Sequence, residues 1–505
     1  MSSSGTEDVV ITADVGTSSV KVCAFDLGGR LLSSCAAPHA TAYQPGGRAE
    51  QTAEDWLAGL CSGLAVVLGQ VAVGRVLALS FTGQMACCLP VGADGLALRP
   101  GLIWADRRAT DEARHLADTL GAEEVYRLTG NRPTPMYLGP KARWIMTHEP
   151  GTYRQTAVFL QAQEYLVNRL TGVAATDPSN ASCSALFGAD LNDWSPDIVA
   201  ALELDASKLP PIQPGCQVTG HLRPEMAALI GLRSGTPVVL GGGDGPATAV
   251  GLGVVAPGQG YVSVGSSAWL SLVGPERFAG MASGIENYRL FDQPMYAWTA
   301  SMQGAGVALE WAARTLFPAL SEHEAHERMG TLARQARWTD LLFLPYLIGE
   351  RAPYWNDLAR GAFIGLHSSH SLNDLCAAVF QGVALHLRLL SDLFAQVPTP
   401  TSELLVVGGG VRAGPLPQMI ADALGQRLVG VRASLEASSL GAFAAARVAL
   451  GLLPSLADTE GPHRDGPGWE PLPEATAHAE RLLPLFRQAY LGLEPIFAGL
   501  GQIRA

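Results

Sequence analysis

The stretch VVITADVGTSSVKVCAF, residues 9–25, places a β-rich run on either side of a turn built from Asp14, Gly16, Thr17 and Ser18. Val9–Ala13 and Val20–Phe25 are the strands this predicts, and LGGR then turns the chain into a third run, LLSSC. Glycine lets successive backbone N–H groups converge on an anion, and the hydroxyls add donors, so the turn has the size and polarity of a phosphate cradle. An acidic residue at its start would repel phosphate unless it faced a cation. Asp14 is therefore a candidate Mg2+ contact, through water. The plain alternative is a hairpin with an aspartate cap.

The design recurs. YVSVGSSAWLSLVG, residues 261–274, is again strand, Gly/Ser turn and strand, and its turn offers Gly265, Ser266 and Ser267. VVLGGGDG (238–245) and LVVGGGVR (405–412) are likewise two apolar strands that each run into three glycines. Internal recurrence in a chain of 505 residues, beyond the size at which one core stops growing, predicts two lobes. Both should be α/β in type, spanning 1–248 and 249–505, with a cleft between them.

Outward from the first hairpin, residues 53–73 have helical spacing and VLALSFTG (76–83) returns to a buried strand. Residues 107–172 read as mostly helical, interrupted by a Pro-rich turn at 132–140. The Pro- and Gly-rich segment 459–469 reads as a surface loop before a last helix over 474–490.

No GxxxxGK[ST] and no GxGxxG occurs, so P-loop and dinucleotide-binding readings lose their support. Asp244 follows three glycines at the end of a strongly apolar strand, where side chains emerge into the cleft of an open α/β sheet. A carboxylate there can take the proton of an attacking hydroxyl during phosphoryl transfer; its ordinary alternative is helix N-capping. Gly408, Gly409 and Gly410 permit close approach of a flat ring or ribose, and Arg412 ends the same stretch as a candidate phosphate contact. The pairs His323/His326 and His367/His370 have ligand-like spacing but no accompanying cysteine or carboxylate pattern.

The net charge of −12 and the absence of a basic run disfavour nucleic acid as a partner. The eight cysteines are scattered without a CxxC, which suits small buried thiols in a reducing cytoplasm. The first residues, MSSSGTED, are polar where a signal peptide would be basic and then apolar. The uncharged stretch 245–275 is broken by Gly, Ser, Gln and Pro and reads as buried strands and turns, with no membrane implied. A homodimer is the default assembly for a soluble enzyme of this size.

The combination resembles the FGGY family of carbohydrate kinases, within the actin- and hexokinase-like (ribonuclease H-like) superfamily. Its strongest match is GAFIGLHSSHSLNDLCAAVFQG (361–382), where Gly361, Phe363, Gly365, Leu366, Asp374, Leu375, Ala378 and Gln381 fall where the family pattern asks. LPYLIGERAPYWN (344–356) looks like the family's GER segment. Within the family, the order DVGTSSVKV, SFTGQM, LIWADRR, LTGN, GPKARW, GGGDG and SVGSS is similar to that of xylulokinases.

That resemblance implies transfer of the ATP γ-phosphate to a terminal hydroxyl of a ketopentose, with Asp244 as general base and Gln84, Met85, Trp104 and Asp106 lining the sugar pocket. It also implies a sugar site mainly in the first lobe and ATP mainly in the second. Departures from the pattern keep open another pentulose, a polyol or glycerol as substrate. Ala86 and Cys87 stand where xylulokinases usually have His and Gly, and Gly245 and Pro246 where Asn and Ala are more frequent. Leu138 and Ala142 depart from the family's N-terminal signature, leaving Lys141 either a site residue or a surface lysine. An actin- or chaperone-like ATPase and a catalytically silent sugar sensor are the alternatives of other classes.

Overall fold

The computed structural model describes residues 8–504 apart from 292, 337, 398–401, 432–435 and 462–465. Its first large sheet is formed by β1 (Val9–Val15), β2 (Ser19–Asp26), β3 (Leu31–Pro38), β4 (Val76–Gly83), β5 (Val218–His221) and β6 (Pro237–Gly243), in the order β5-β6-β4-β1-β2-β3. β1, β2 and β3 form an antiparallel meander, β4 and β6 continue parallel to β1, and β5 closes the edge antiparallel. β1 and β4 are buried on both faces, which explains their nearly unbroken apolar runs.

The second sheet is formed by β7 (Gly260–Val264), β8 (Ala268–Gly274), β9 (Glu286–Leu290), β10 (Gln293–Met302), β11 (Glu403–Val407), β12 (Arg427–Gly430) and β13 (Gly468–Trp469). Its order is β9-β10-β8-β7-β11-β12-β13. Again an antiparallel meander, β7, β8 and β10, is followed by two parallel strands and an antiparallel edge. The two sheets thus match strand for strand, with β1 opposite β7 and β2 opposite β8. Among the described residues, β9 is the strand of the second sheet with no counterpart in the first.

Each sheet has its own core. The second is built on the helix Leu372–Asp392, buried along most of its length. It is the one described helix long and apolar enough to cross a membrane, and its burial against the second sheet accounts for that composition. The residues that carried the family resemblance hold this region together. Ser371 and Asp374 form a capping box at the helix start, while buried Gln381 accepts from the Thr339 N–H at 3.0 Å and donates to the Leu341 carbonyl at 3.3 Å. Gly365 sits at φ +92° directly after the strand Ala362–Ile364.

Residues 107–172 are mostly helical, as expected, and the bounds of some elements are corrected. The Pro-rich turn ends at Tyr137, because the helix Leu138–His148 takes in Pro140 within its first turn, where proline removes no intrahelical hydrogen bond. The region 107–172 also contains a strand, Val158–Leu160, paired with Leu89–Val91. The last helix runs over Pro473–Arg504, beyond the expected 490, because Phe497 continues the buried apolar stripe of Phe486 and Tyr490. Part of the expected 459–469 loop lies outside the described residues, and Gly468–Trp469 joins the second sheet.

The helix Asp244–Gly251 spans position 248, where the sequence suggests a boundary. The helix Ala437–Ala449 comes late in the chain yet packs on β1, β4 and β6. It meets the helix Asp244–Gly251 backbone to backbone: a Cβ on Gly441 would lie 2.0 Å from the Ala247 carbonyl oxygen.

Candidate active site

β1, β4 and β6 run parallel and end together. Asp14 of β1 and Gly242 of β6 both pair with Thr82 of β4, so Asp14 and the start of the Asp244 helix flank one strand at the same level. With neighbouring strands roughly 4.8 Å apart, the two backbones are separated by about 10 Å. The glycines before Asp244 are steric requirements. Gly241 has φ +68°, and a Cβ there would sit 1.8 Å from the Phe81 carbonyl oxygen; one on Gly243 would strike Met85 at 2.5 Å. The Gly243 N–H donates to Ser179 Oγ at 2.9 Å, fixing the strand end.

Asp244 is the first residue of its helix, and the cap position belongs to Gly243, so N-capping does not explain it. Its side chain lines a cavity of about 230 Å³ together with Thr17 of the first hairpin turn and Ser267 of the second. Burial first, and the negative charge of Asp14 second, push the Asp244 carboxyl up to about 7. A base poised there can accept a proton near neutral pH.

The two turns are held alike. In the first, the Gly16 carbonyl is 3.1 Å from His39 Nε2 and accepts from Gln84 Nε2 at 3.4 Å, and the Thr17 carbonyl accepts from Gln51 Nε2 at 2.7 Å. In the second, the Gly265 carbonyl accepts from the Gly306 N–H at 3.0 Å and the Ser266 carbonyl from the Ala305 N–H at 2.9 Å. A trans peptide with its oxygen tied inward presents its N–H the other way, so the N–H groups of Thr17 and Ser18, and of Ser266 and Ser267, turn outward, while those of Gly16 and Gly265 are spent on the Ser19 and Ser267 carbonyls. Ser18, Gly265 and Ser266 are exposed. Gly408, Gly409 and Gly410 carry the chain past the same second turn: a Cβ on Gly408 would lie 2.5 Å from the Val264 carbonyl oxygen, while Gly409 and Arg412 face open space or solvent.

Asp14 is half-buried. Its Oδ2 accepts from Ser438 Oγ at 2.5 Å and its Oδ1 is buried without a partner, and burial raises its pKa above the usual carboxylate range. A lone carboxylate oxygen beside a Gly/Ser hairpin turn fits Mg2+, which is held by one or two carboxylates, water and substrate phosphates. Among the described residues no group of three or more His, Cys, Asp or Glu is placed to hold a metal by itself.

Of the residues assigned to a sugar pocket, Met85 and Trp104 line the cavity. Gln84 and Asp106 do not, and for both the expectation is corrected. Gln84 is 1% exposed and its Nε2 donates to Gln51 Oε1 at 2.7 Å and to the first turn, with its Oε1 buried without a partner among the described residues. Asp106 is fully buried, with its carboxylate occupied by the Arg108 guanidinium at 2.8–3.0 Å and the Ala49 N–H at 2.7 Å. The surface reading of Lys141 is corrected as well. Fully buried, its Nζ donates to the carbonyls of Ala86 at 2.9 Å and Ile103 at 2.7 Å, and burial lowers its pKa to about 8. It clamps the two segments that carry Met85 and Trp104.

The lining also includes Met136, Cys183, Trp269, Glu286, Tyr288 and Arg351. Arg351 lies in the GER segment, where buried Glu350 accepts from the N–H groups of Gln303 and Arg351 at 2.7 Å. The guanidinium carbon of Arg351 is 5.2 Å from the Trp104 ring centre. No sequence signal marks Glu286. A wider hollow of about 970 Å³, lined by Tyr126, Arg277 and Arg289, contains neither hairpin turn nor Asp244.

Models of the FGGY carbohydrate kinases match the chain over both halves, the N-terminal domain at residues 9–251 and the C-terminal domain at 260–450. The chain belongs to the FGGY family of carbohydrate kinases. Among its relatives, the xylulose kinase of Escherichia coli is 30% identical over 501 residues, covering 97% of this chain and 100% of that one. The gluconokinase of Bacillus subtilis is 27% identical over 454 residues, 88% of each chain. The xylulose kinase structure from Rhodospirillum rubrum superimposes with a TM-score of 0.86 at 26% identity, covering 97% of this chain and 100% of that one. This FGGY protein is accordingly a sugar kinase with the two-domain fold of its family, and the actin- or chaperone-like ATPase reading is set aside.

Proposed function

We propose that the chain transfers the γ-phosphate of ATP to a terminal hydroxyl of D-xylulose, giving D-xylulose 5-phosphate and ADP. The observation that carries this reading is the meeting of Asp244 with both hairpin turns at one cavity, through Thr17 and Ser267. Residues 1–248 hold the sugar between Met85 and Trp104, and residues 249–505 hold the nucleotide against Gly265–Ser267, Gly408–Gly410 and Arg412. The sugar oxygen attacks phosphorus, its proton passes to Asp244, and the bond to the bridging oxygen of ADP breaks. Thr17 and Ser18 donate to the phosphoryl oxygens as charge gathers there, while Gly16, its N–H spent on the Ser19 carbonyl, lets the turn approach the phosphate closely. Mg2+ bound to the nucleotide phosphates supplies charge neutralisation, and Asp14 Oδ1 is the group that would face it through water. Approach of the lobes excludes water, a competing nucleophile for the same phosphoryl group.

The xylulose assignment is supported by the order of motifs and by relatives named xylulose kinases. Ala86 in the cavity wall, and a gluconokinase among the relatives, motivate a wider search. The test is an ADP-release screen over pentuloses, hexuloses, polyols, glycerol and gluconate. The reading expects the highest kcat/KM for D-xylulose; a clear preference for glycerol or gluconate would replace the substrate while keeping the kinase.

A further inference from the structure

We propose that Glu286 is a specificity-determining residue, the acceptor that reads the hydroxyls of a neutral polyhydroxy substrate and turns away a carboxylated one. The inference rests on the kinase reading above and names the substrate class of the same cavity. Its first support is topological. β9 is the strand added to the second sheet, and it brings Glu286 to the cavity wall at its first position.

That strand is fastened to the other lobe. The Asn287 N–H donates to Asn131 Oδ1 at 2.8 Å, Asn131 Nδ2 donates back to the Asn287 carbonyl at 3.0 Å, and Asn287 Nδ2 donates to the Gly130 carbonyl at 2.6 Å. The Arg289 N–H donates to Ser182 Oγ at 3.1 Å. Glu286 is therefore fixed relative to Met85 and Trp104, although its chain neighbours belong to the second sheet.

Its second support is the count of acceptor sites. Oε1 of Glu286 accepts from Tyr137 at 3.1 Å and Tyr288 at 2.7 Å, and Oε2 accepts from Ser301 at 3.2 Å. A carboxylate offers about four lone-pair sites, so roughly one remains on Oε2 for a donor inside the cavity. Tyr137 and Tyr288 cannot rotate away without losing a charge-assisted bond, so the acceptor is preorganised. Ala86, in the same wall, offers only a methyl group, so hydrogen bonding to a sugar must come from elsewhere around the cavity.

The third support is charge. Asp244 and Glu286 both line the cavity against one lining cation, Arg351, whose guanidinium carbon is 5.2 Å from the Trp104 ring centre and whose Nε has no partner among the described residues, so the lining carries two carboxylates to one guanidinium. Hydroxyls can donate to both carboxylates, whereas the carboxylate of an aldonate such as gluconate would meet like charge in a confined space.

The test is Glu286→Gln, which keeps the shape, read against D-xylulose, other neutral ketoses and gluconate, with Tyr137→Phe as a control that removes a supporting donor without touching the sugar. Loss of a charged hydrogen-bond acceptor should raise KM for the neutral sugar on the order of 10–100-fold with kcat within about threefold and KM for ATP unchanged. Turnover of gluconate relative to the ketose should rise about tenfold or more, whereas Tyr137→Phe, which loosens the carboxylate and keeps its charge, should raise KM for the neutral sugar by a smaller factor and leave the gluconate ratio within about twofold. An active wild-type enzyme whose Glu286→Gln variant loses only thermal stability, with KM and the gluconate ratio unmoved, would overturn the inference and leave the kinase reading standing. A wild-type enzyme that phosphorylates none of these compounds would overturn the reading itself.

Discussion

The indole Nε1 of Trp104 donates to Thr17 Oγ1 at 2.9 Å, tying a wall of the Asp244 cavity to the first hairpin turn. One hydroxyl thus links two segments 87 residues apart in sequence. Trp104→Phe keeps an apolar face but breaks this link. Its expected result is a rise of roughly tenfold in KM for the sugar, since a lost neutral hydrogen bond is worth about 1 kcal/mol, with KM for ATP within about twofold. Equal rises in both constants would show that the link serves the turn alone.

Lys141 is the clamp behind this wall. Lys141→Met leaves the Ala86 carbonyl buried without its donor, at a cost of about 1–3 kcal/mol, while the Ile103 carbonyl keeps the Asp106 N–H at 2.9 Å. Denaturant titration should register that loss, and KM for the sugar should rise as the two segments loosen. An unchanged unfolding midpoint would contradict the clamp.

Asp14→Ala removes the unpartnered Oδ1 together with the acceptor for Ser438. The expected outcome is a Mg2+ requirement raised about tenfold or more, or loss of turnover. A Mg2+ titration of initial rate that overlays the wild-type curve would remove Asp14 from any metal role.

The pH dependence follows from Asp244. As a base it works deprotonated, and its folded-state pKa is pushed up to about 7 by burial first and by Asp14 second. kcat/KM should therefore fall about tenfold per pH unit below that value and level off above it. Asp14→Asn removes the second cause, so in whatever activity remains the midpoint should move to lower pH. A profile flat between about pH 5.5 and 8.5 would contradict the assignment.

Much of this architecture was legible because it is local. The strand, turn, strand pattern at 9–25 and again at 261–274 survives as two hairpins in matching places of two matching sheets. The triple glycines were legible as places of close approach, and Gly241 and Gly408 are such places. What escaped depends on partners far apart in the chain. The family resemblance puts Gln84 in the pocket, yet its amide nitrogen faces backward to Gln51 and the first turn. The composition of IWADRR does not reveal that Asp106 is spent on Arg108, two residues on. Lys141 reads as polar, and only the fold supplies the two carbonyls that let it be buried. Glu286 lies on the added strand, so the repeat that exposed the rest of the site had nothing to match it against.

The most direct test of the central claim is phosphoryl transfer by Asp244→Asn, with ATP binding followed separately by calorimetry. The isosteric amide cannot take the proton, so kcat for the sugar should drop by about 10²–10⁴-fold while the affinity for ATP stays within about threefold. Turnover close to wild type in that variant would contradict the assignment of Asp244 as the base on which this mechanism is built.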